Sequence, residues 1–572
     1  MVRRLISLAL VVSFVPLAAW ADDPPWIARS KSGMVASDST DASQIGADIL
    51  SAGGNAFDAA VATSLALAVT RPQSTGLGGG GFVVVYVAKS ERVFCLDFRE
   101  CAPAGATAAR YVELNKNRGD GPSPSVYGGN AVAVPGQLSG LAEMHKRFGT
   151  QTWKQLTEPA AKLAETGFTA DEFYADECRS ALAAYTKWPK LKSECGALYT
   201  TLLGNGTPPK VGDKVVRPDL AKTLGLIGDK GADVFYKGPI GEALVKATQA
   251  AGGTLTMADL ADYQVRDRTA LRATYRSFDI YTMPPPSSGG VCLVEILNIL
   301  RAASVRSDLN PREDRPHVLV EAMKHAFADR AHFLGDPDFA AVPVDRLTSL
   351  KYATERAQFI KPHETLTPRE YGAPANPAPD RGTSHFCITD KDGNVVAQTE
   401  TINGVFGSLV MAEPYGIVLN NEMDDFTADP GQPNLYGLIQ GEANAILPRK
   451  RPLSSMTPTI VFRDVHPVLV LGGSGGPRII TSVLQVLLNV IEADMPLDQA
   501  VTTVRIHHQW QPDEVTFDRD PPEKLAEALK AAGHKINPAR KCGIVQAIRL
   551  LPDGTMVGAS DPHKGGHPAG VK

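Results

Sequence analysis

Apolar residues from Ser43 to Val69 keep a helical spacing, with one break at Gly53-Gly54-Asn55, and predict helix on either side of it. Within this stretch Ala59–Val69 is short, apolar and rich in Ala, Ser and Thr, which reads as a buried helix. Gly76-Leu77-Gly78-Gly79-Gly80-Gly81 follows, then a strand over Phe82–Val87 and a second over residues 92–98, ending on Arg99. From about 134 to 330 the pattern predicts mainly helix, interrupted at residues 283–290. Gly372 to Gly382 (GAPANPAPDRG) has no hydrophobic period and is expected to be an exposed irregular segment. Directly behind it, Thr383–Thr389 reads as a strand, residues 390–394 as a turn, and Val395–Ile402 as the returning strand. Further on, the apolar strand Val468–Leu471 leads into a glycine-rich turn and a helix from about Ile479 to Ile491. No internal repeat is present.

Composition narrows the class. The 572 residues are 43% hydrophobic and 21% charged, enough apolar material for a substantial core and unlike a disordered tail protein. Lys plus Arg number 58 against 62 Asp plus Glu, and there is no basic stripe of the kind nucleic acid requires. Met1–Ala21 combines Arg3 and Arg4, an apolar centre and the small-x-small exit Ala19-Trp20-Ala21, the anatomy of a cleaved signal peptide. Its apolar run is shorter than the ~20 residues of a membrane span. A soluble periplasmic or secreted protein with no membrane anchor after signal cleavage is the expectation. Seven cysteines do not make a disulfide scaffold. Cys178 and Cys195 fall in one polar segment, read as surface, where a bridge can form in an oxidising compartment; Cys95, Cys292 and Cys387 read as buried thiols.

Three motifs mislead. Residues 76–81 match GxGxxG, but the order is helix, glycines, strand, whereas a dinucleotide site needs the reverse. Asp390-Lys391-Asp392-Gly393 opens like a calcium loop, yet its glycine comes too early and no Glu closes it. His507 and His508 are adjacent in an expected strand, so their side chains point to opposite faces.

Two places carry chemistry. Scission between Gly382 and Thr383 would give Thr383 a free α-amine beside its own hydroxyl, a complete base and nucleophile. An α-amine titrates at about 7.7–8.0 and accepts a proton near neutrality. The second place is Gly472-Gly473-Ser474-Gly475-Gly476-Pro477-Arg478, between strand and helix, where backbone N–H groups can converge on an anion or an oxyanion. A tight strand–helix turn is an equal reading of that loop alone.

Thr383-Ser384-His385-Phe386, the run Gly416 to Phe426 (GIVLNNEMDDF), Pro452-Leu453-Ser454-Ser455-Met456, Asp97-Phe98-Arg99-Glu100, PPPSSGG at 284–290 and Arg505-Ile506-His507-His508-Gln509-Trp510 together resemble the γ-glutamyltranspeptidases. The resemblance covers nearly the whole chain after residue 21. It implies an α/β (α+β) fold of the N-terminal nucleophile hydrolase type, a four-layer αββα sandwich. A large subunit (22–382) and a small subunit (383–572) would arise from one precursor and form a heterodimer. The implied activity is γ-glutamyl transfer or hydrolysis of glutathione and other γ-glutamyl amides, with amino acids, peptides or water as acceptors. No metal or organic cofactor is implied. Thr383 matches the processing residue and nucleophile, and Thr401 the second threonine that hydrogen-bonds it. Asn403, Glu422 and Asp425 match the α-amino site, and Arg99 with Ser454 and Ser455 the α-carboxylate site. Gly475 and Gly476 match the oxyanion glycines, and Tyr436 a lid-loop tyrosine.

The residues fit such a substrate on physical grounds, since two carboxylates complement an ammonium and an arginine grips a carboxylate with parallel N–H bonds. Taken singly, Arg99 reads first as a surface ion pair with Glu100 or another acid, while Glu422 and Asp425 read equally as a solvated turn and the serines as turn caps. Ser384 stands where many bacterial relatives carry threonine, and Asn403-Gly404-Val405-Phe406-Gly407 is closer to some acylase-like relatives. A cephalosporin or glutaryl acylase of the same fold, and a non-catalytic γ-glutamyl-peptide binding protein, are the alternatives.

Overall fold

The computed structural model describes residues 23–372, 382–427, 434, 435, 438, 441–540 and 543–572. The expected signal peptide, most of the expected irregular segment before Gly382, and Tyr436 lie outside the described residues.

Two seven-stranded antiparallel sheets face each other. One runs Ala569–Gly570, Gly33–Ser37, Ser384–Asp390, Val395–Thr401, Gly80–Val87, Arg92–Phe98, Arg266–Arg268. The other runs Ile27–Ser30, Met556–Ser560, Ile544–Leu550, His466–Ser474, Thr459–Arg463, Phe278–Thr282, Leu271–Tyr275. Strand alternation explains the stacking, because successive side chains leave opposite faces. Phe82, Val84, Cys387, Ala397, Ile460, Val470 and Ile548 fill the space between the sheets. Val83, Val85, Phe386 and Ile388 point outward and pack under the first helical layer. Val461, Leu469, Leu471 and Ala547 do the same under the second. The result is the αββα sandwich.

The break at Gly53-Gly54-Asn55 separates helices Thr40–Ser51 and Ala56–Thr70; Asn55 and Asp58 form a capping box, and every residue of the second helix is buried. The glycines after it permit close approach rather than phosphate binding. A Cβ on Gly78 would lie 2.2 Å from the Val418 carbonyl oxygen, and one on Gly79 1.9 Å from that of Thr401.

Two expectations are corrected. Residues 134–330 are not only helical: Leu271–Tyr275 and Phe278–Thr282 pair as a hairpin at a sheet edge, where the alternation of FDIYT outweighs its helical surroundings. Cys178 and Cys195 are free and buried. They do not lie at the surface, because both pack in the apolar core under the first helical layer, and burial there pushes each thiol up to about 12. Cys95, Cys292 and Cys387 are buried and free as expected. No helix among the described residues is long and apolar enough to cross a membrane.

Candidate active site

Thr383 lies at the head of the strand Ser384–Asp390, the third strand of its sheet, flanked by Val395–Thr401. Its register sets Ser384 opposite Glu400, so Thr383 comes beside Thr401 at the open end of the pair. Gly382 before it has φ 125°, a region that L side chains rarely adopt, and a Cβ there would meet the Asn403 carbonyl oxygen at 2.2 Å. The bend therefore requires glycine. It brings the Thr383 hydroxyl within 2.7 Å of the Gly382 carbonyl oxygen. Thr401 Oγ1 donates to the same oxygen at 2.8 Å and stands 3.3 Å from Thr383 Oγ1. Thr401 also accepts the Asn403 backbone N–H at 2.8 Å.

A buried carboxyl braces this corner. Glu400 accepts from Ser64 (2.6 Å), Thr75 (3.1 Å), Gln137 (2.5 Å) and Gln398 (2.9 Å). Burial still pushes it up to about 7. On the other side, Lys564 Nζ donates to the Thr383 carbonyl and lies 2.6 Å from Asp38 Oδ2, with both side chains buried. Burial lowers the lysine's pKa while Asp38 opposes the shift. Removing one partner of such a pair leaves a bare buried charge. Lys564→Met is expected to destabilise the protein by about 3–5 kcal/mol, read as a lower melting temperature, and adding Asp38→Asn should recover part of the loss. An unchanged melting temperature for Lys564→Met would contradict this account.

Thr383 opens on a cavity of ≈ 20 Å³, room for about one water. It is lined by Arg99, Arg330, Thr401, Asn403, Glu422, Asp425, Ser454, Ser455 and Gly476, so most of the residues singled out in the sequence converge. The strand His466–Ser474 ends at Gly475 (φ 119°) and Gly476 (φ 51°), whose carbonyls accept from Arg478 and Ile479 as the helix Arg478–Ile491 begins. Gly476 lines the cavity directly; Gly475 stands one residue before it. Asn420 and Asn421 hold the acidic turn: Asn420 Oδ1 accepts the Glu422 N–H at 3.0 Å, and Asn421 Oδ1 that of Gly404 at 2.7 Å. Asn403 Nδ2 donates to the Asn421 carbonyl at 2.9 Å.

Arg99 is ion-paired, as expected of it taken singly. It is fully buried, not a surface residue. Its guanidinium contacts Glu422 and Asp425 themselves, with Glu100 at 3.9 Å. Three carboxyls thus crowd one cation. Burial raises all three against the pull of Arg99: Glu100 to about 7, Glu422 well above the usual carboxylate range, and Asp425 above it. The residues assigned to opposite ends of a zwitterion are paired with each other. Ser454 is held by Ser288, whose N–H and hydroxyl both reach the Ser454 carbonyl (2.7 and 2.6 Å), and Ser455 Oγ accepts from Arg330 at 3.3 Å.

Four contributors went unread in the sequence: Glu100 as a site acid, Glu400, Lys564 and Arg330. Glu100 adjoins the quoted Arg99 motif and Glu400 precedes Thr401, so proximity was an available signal for those two. Lys564 and Arg330 reach the site only through the tertiary fold. His507 bonds Thr481 (2.9 Å) and Gln509 (2.9 Å), whereas His508 faces Asp513 at 3.4 Å, so the two imidazoles do diverge. Away from the cavity His317, Glu321 and His534 cluster, and Lys324 Nζ, 3.8 Å from Glu321, already supplies positive charge there.

Two facing antiparallel sheets between helical layers, with a threonine at the head of a central strand, define the N-terminal nucleophile hydrolase class. A family model described as gamma-glutamyltranspeptidase matches residues 42–571, and the chain belongs to that family. It is 41% identical to the glutathione hydrolase proenzyme of Escherichia coli K12, over 93% of this chain and 91% of that one. It is 39% identical to the glutathione hydrolase proenzyme of Bacillus subtilis 168, over 99% and 97%. Among solved structures, a cephalosporin acylase from Bacillus halodurans superposes with a TM-score of 0.84 at 28% identity, covering 98% of this chain and all of that one. Helicobacter pylori gamma-glutamyltranspeptidase gives 0.53 at 38% identity, covering 58% and 93%.

Proposed function

We propose that the chain matures by cutting itself between Gly382 and Thr383 and then uses Thr383 to transfer or hydrolyse the γ-glutamyl group of glutathione and related amides. The observation that carries this reading is the shared carbonyl: the Thr383 and Thr401 hydroxyls both reach the Gly382 oxygen, at 2.7 and 2.8 Å. In maturation, Thr383 Oγ1 bonds to the Gly382 carbonyl carbon, the Gly382–Thr383 C–N bond breaks, and the hydroxyl proton passes to the departing nitrogen. Water then opens the ester. Residues 22–382 and 383–572 remain together as large and small subunits, with Met1–Ala21 directing export.

In turnover the new α-amine takes the Thr383 hydroxyl proton as Oγ1 attacks the γ-carbonyl. The oxyanion rests on the Gly475 and Gly476 amides. The leaving amine departs with the proton, and water or an acceptor amine resolves the γ-glutamyl ester. Asn403, Glu422 and Asp425 receive the α-ammonium; Ser454 and Ser455, with Arg99, receive the α-carboxylate. Substrate entry must separate Arg99 from its acids, exchanging internal ion pairs for those to the zwitterion.

The acylase neighbour favours a second reading, amide hydrolysis of a glutaryl-type group. That group lacks the ammonium, which would leave the buried acids without a partner. Mature enzyme is expected to prefer γ-glutamyl-p-nitroanilide over glutaryl-p-nitroanilide by about 10²-fold or more in kcat/KM. Preference for the glutaryl compound would replace the first reading by the second.

A further inference from the structure

Arg330 lies on the helix Arg315–Phe333, 2% exposed, and lines the cavity at Thr383. Its Nε donates to Ser288 Oγ at 2.9 Å and its Nη2 to Ser455 Oγ at 3.3 Å. Nη1 is buried and has no hydrogen-bond partner. Among the described residues no carboxylate lies in ion-pair contact with this guanidinium. Its situation is therefore the opposite of Arg99, whose charge Glu422 and Asp425 already match. Asp425 acts on this charge from beyond ion-pair contact, and an unpartnered buried N–H of a cation is costly unless an anion reaches it.

We propose that Arg330 is a specificity-determining residue that binds the α-carboxylate of the γ-glutamyl group, with Nη1 donating to one oxygen beside the hydroxyl of Ser455. This rests on the reading of the site given above and adds to it a second cation, whose Nη1 has no hydrogen-bond partner. Ser288 ties the arrangement together: it accepts from Arg330 and donates to the Ser454 carbonyl at 2.6 Å, so guanidinium and serine pair move as one unit. Burial lowers the Arg330 pKa while Asp425 opposes the shift. When the zwitterion enters, its ammonium takes Glu422 and Asp425 and its carboxylate lies between Arg99, freed from those acids, and Arg330.

The test compares γ-glutamyl-p-nitroanilide with 4-aminobutanoyl-p-nitroanilide, the same compound without its α-carboxylate, on wild-type enzyme and Arg330→Gln. Two bands on a denaturing gel verify maturation first. The variant is expected to lose about 10²-fold in kcat/KM on the γ-glutamyl compound, mainly through KM, and less than about 3-fold on the decarboxylated one. An equal fall on both, or no fall on the first, would overturn the assignment while leaving γ-glutamyl chemistry in place. Wild-type protein inert toward the γ-glutamyl compound would instead remove the functional reading itself. If Arg330→Gln fails to mature, Arg330→Lys serves. A single ammonium cannot keep both serine contacts and the carboxylate, so the preference for the γ-glutamyl compound should fall by about tenfold; an unchanged preference overturns the proposal.

Discussion

Thr383→Ala yields one uncut chain with no measurable turnover. The substitution removes the atom that stands 2.7 Å from the Gly382 carbonyl oxygen and leaves the backbone bend intact, because the φ of 125° belongs to Gly382. Thr401 cannot take over. Its hydroxyl also reaches that oxygen, at 2.8 Å, but an ester to Thr401 would not place the released amine beside the hydroxyl that carries the acyl group. Both proposed reactions therefore stop together. Thr383→Ser keeps the hydroxyl and loses the methyl that restricts its rotamer, so it should mature and turn over more slowly than wild type. Denaturing gels and N-terminal sequencing of the smaller piece decide the matter. A Thr383→Ala protein that still separates into two pieces beginning at residue 383 would mean that another group performs the cut.

The strands and the reactive junction were legible because their signals are local. The unbroken apolar run Phe82–Val87 reports a strand with two buried faces, and the irregular stretch before Gly382 breaks every period around it. The hairpin over 271–282 carried its signal, the alternation of FDIYT, in fewer residues, between long helices, and was passed over for that reason. The charge arrangement is another matter. Arg99 and Asp425 are 326 residues apart, and nothing in either motif says whether an empty site pairs them with each other or keeps them apart for a ligand. Arg330 reads in sequence as one more polar position on a helix of mixed character. Only the fold reveals that the helix Arg315–Phe333 is almost wholly buried and that this side chain bonds two serines. Cys178 shows the converse: a segment polar in composition still turned its thiol into the core, since an amphipathic helix buries one face whatever its average.

Thr401→Val should slow maturation by about 10²–10³-fold, the usual effect of deleting one oxyanion donor. Valine keeps the shape of threonine and its strand preference, so the loss is confined to hydrogen bonds. One is the donor to the Gly382 oxygen, where negative charge develops as Thr383 attacks; another is the acceptor of the Asn403 N–H. Purified precursor followed on gels gives the rate directly, and Thr401→Ser should restore most of it. If valine and serine slow the cut equally, the methyl rather than the hydroxyl matters and the donor role falls. The effect on turnover should be smaller than that on maturation. Once the chain is cut, the Gly382 carbonyl would no longer occupy the site, and the Thr401 hydroxyl would keep the Asn403 N–H and Thr383 Oγ1, at 2.8 and 3.3 Å. In the proposed turnover the γ-carbonyl oxyanion is carried instead by the Gly475 and Gly476 amides. Two acyl transfers at one nucleophile thus draw on two donor sets, and Thr401→Val separates them.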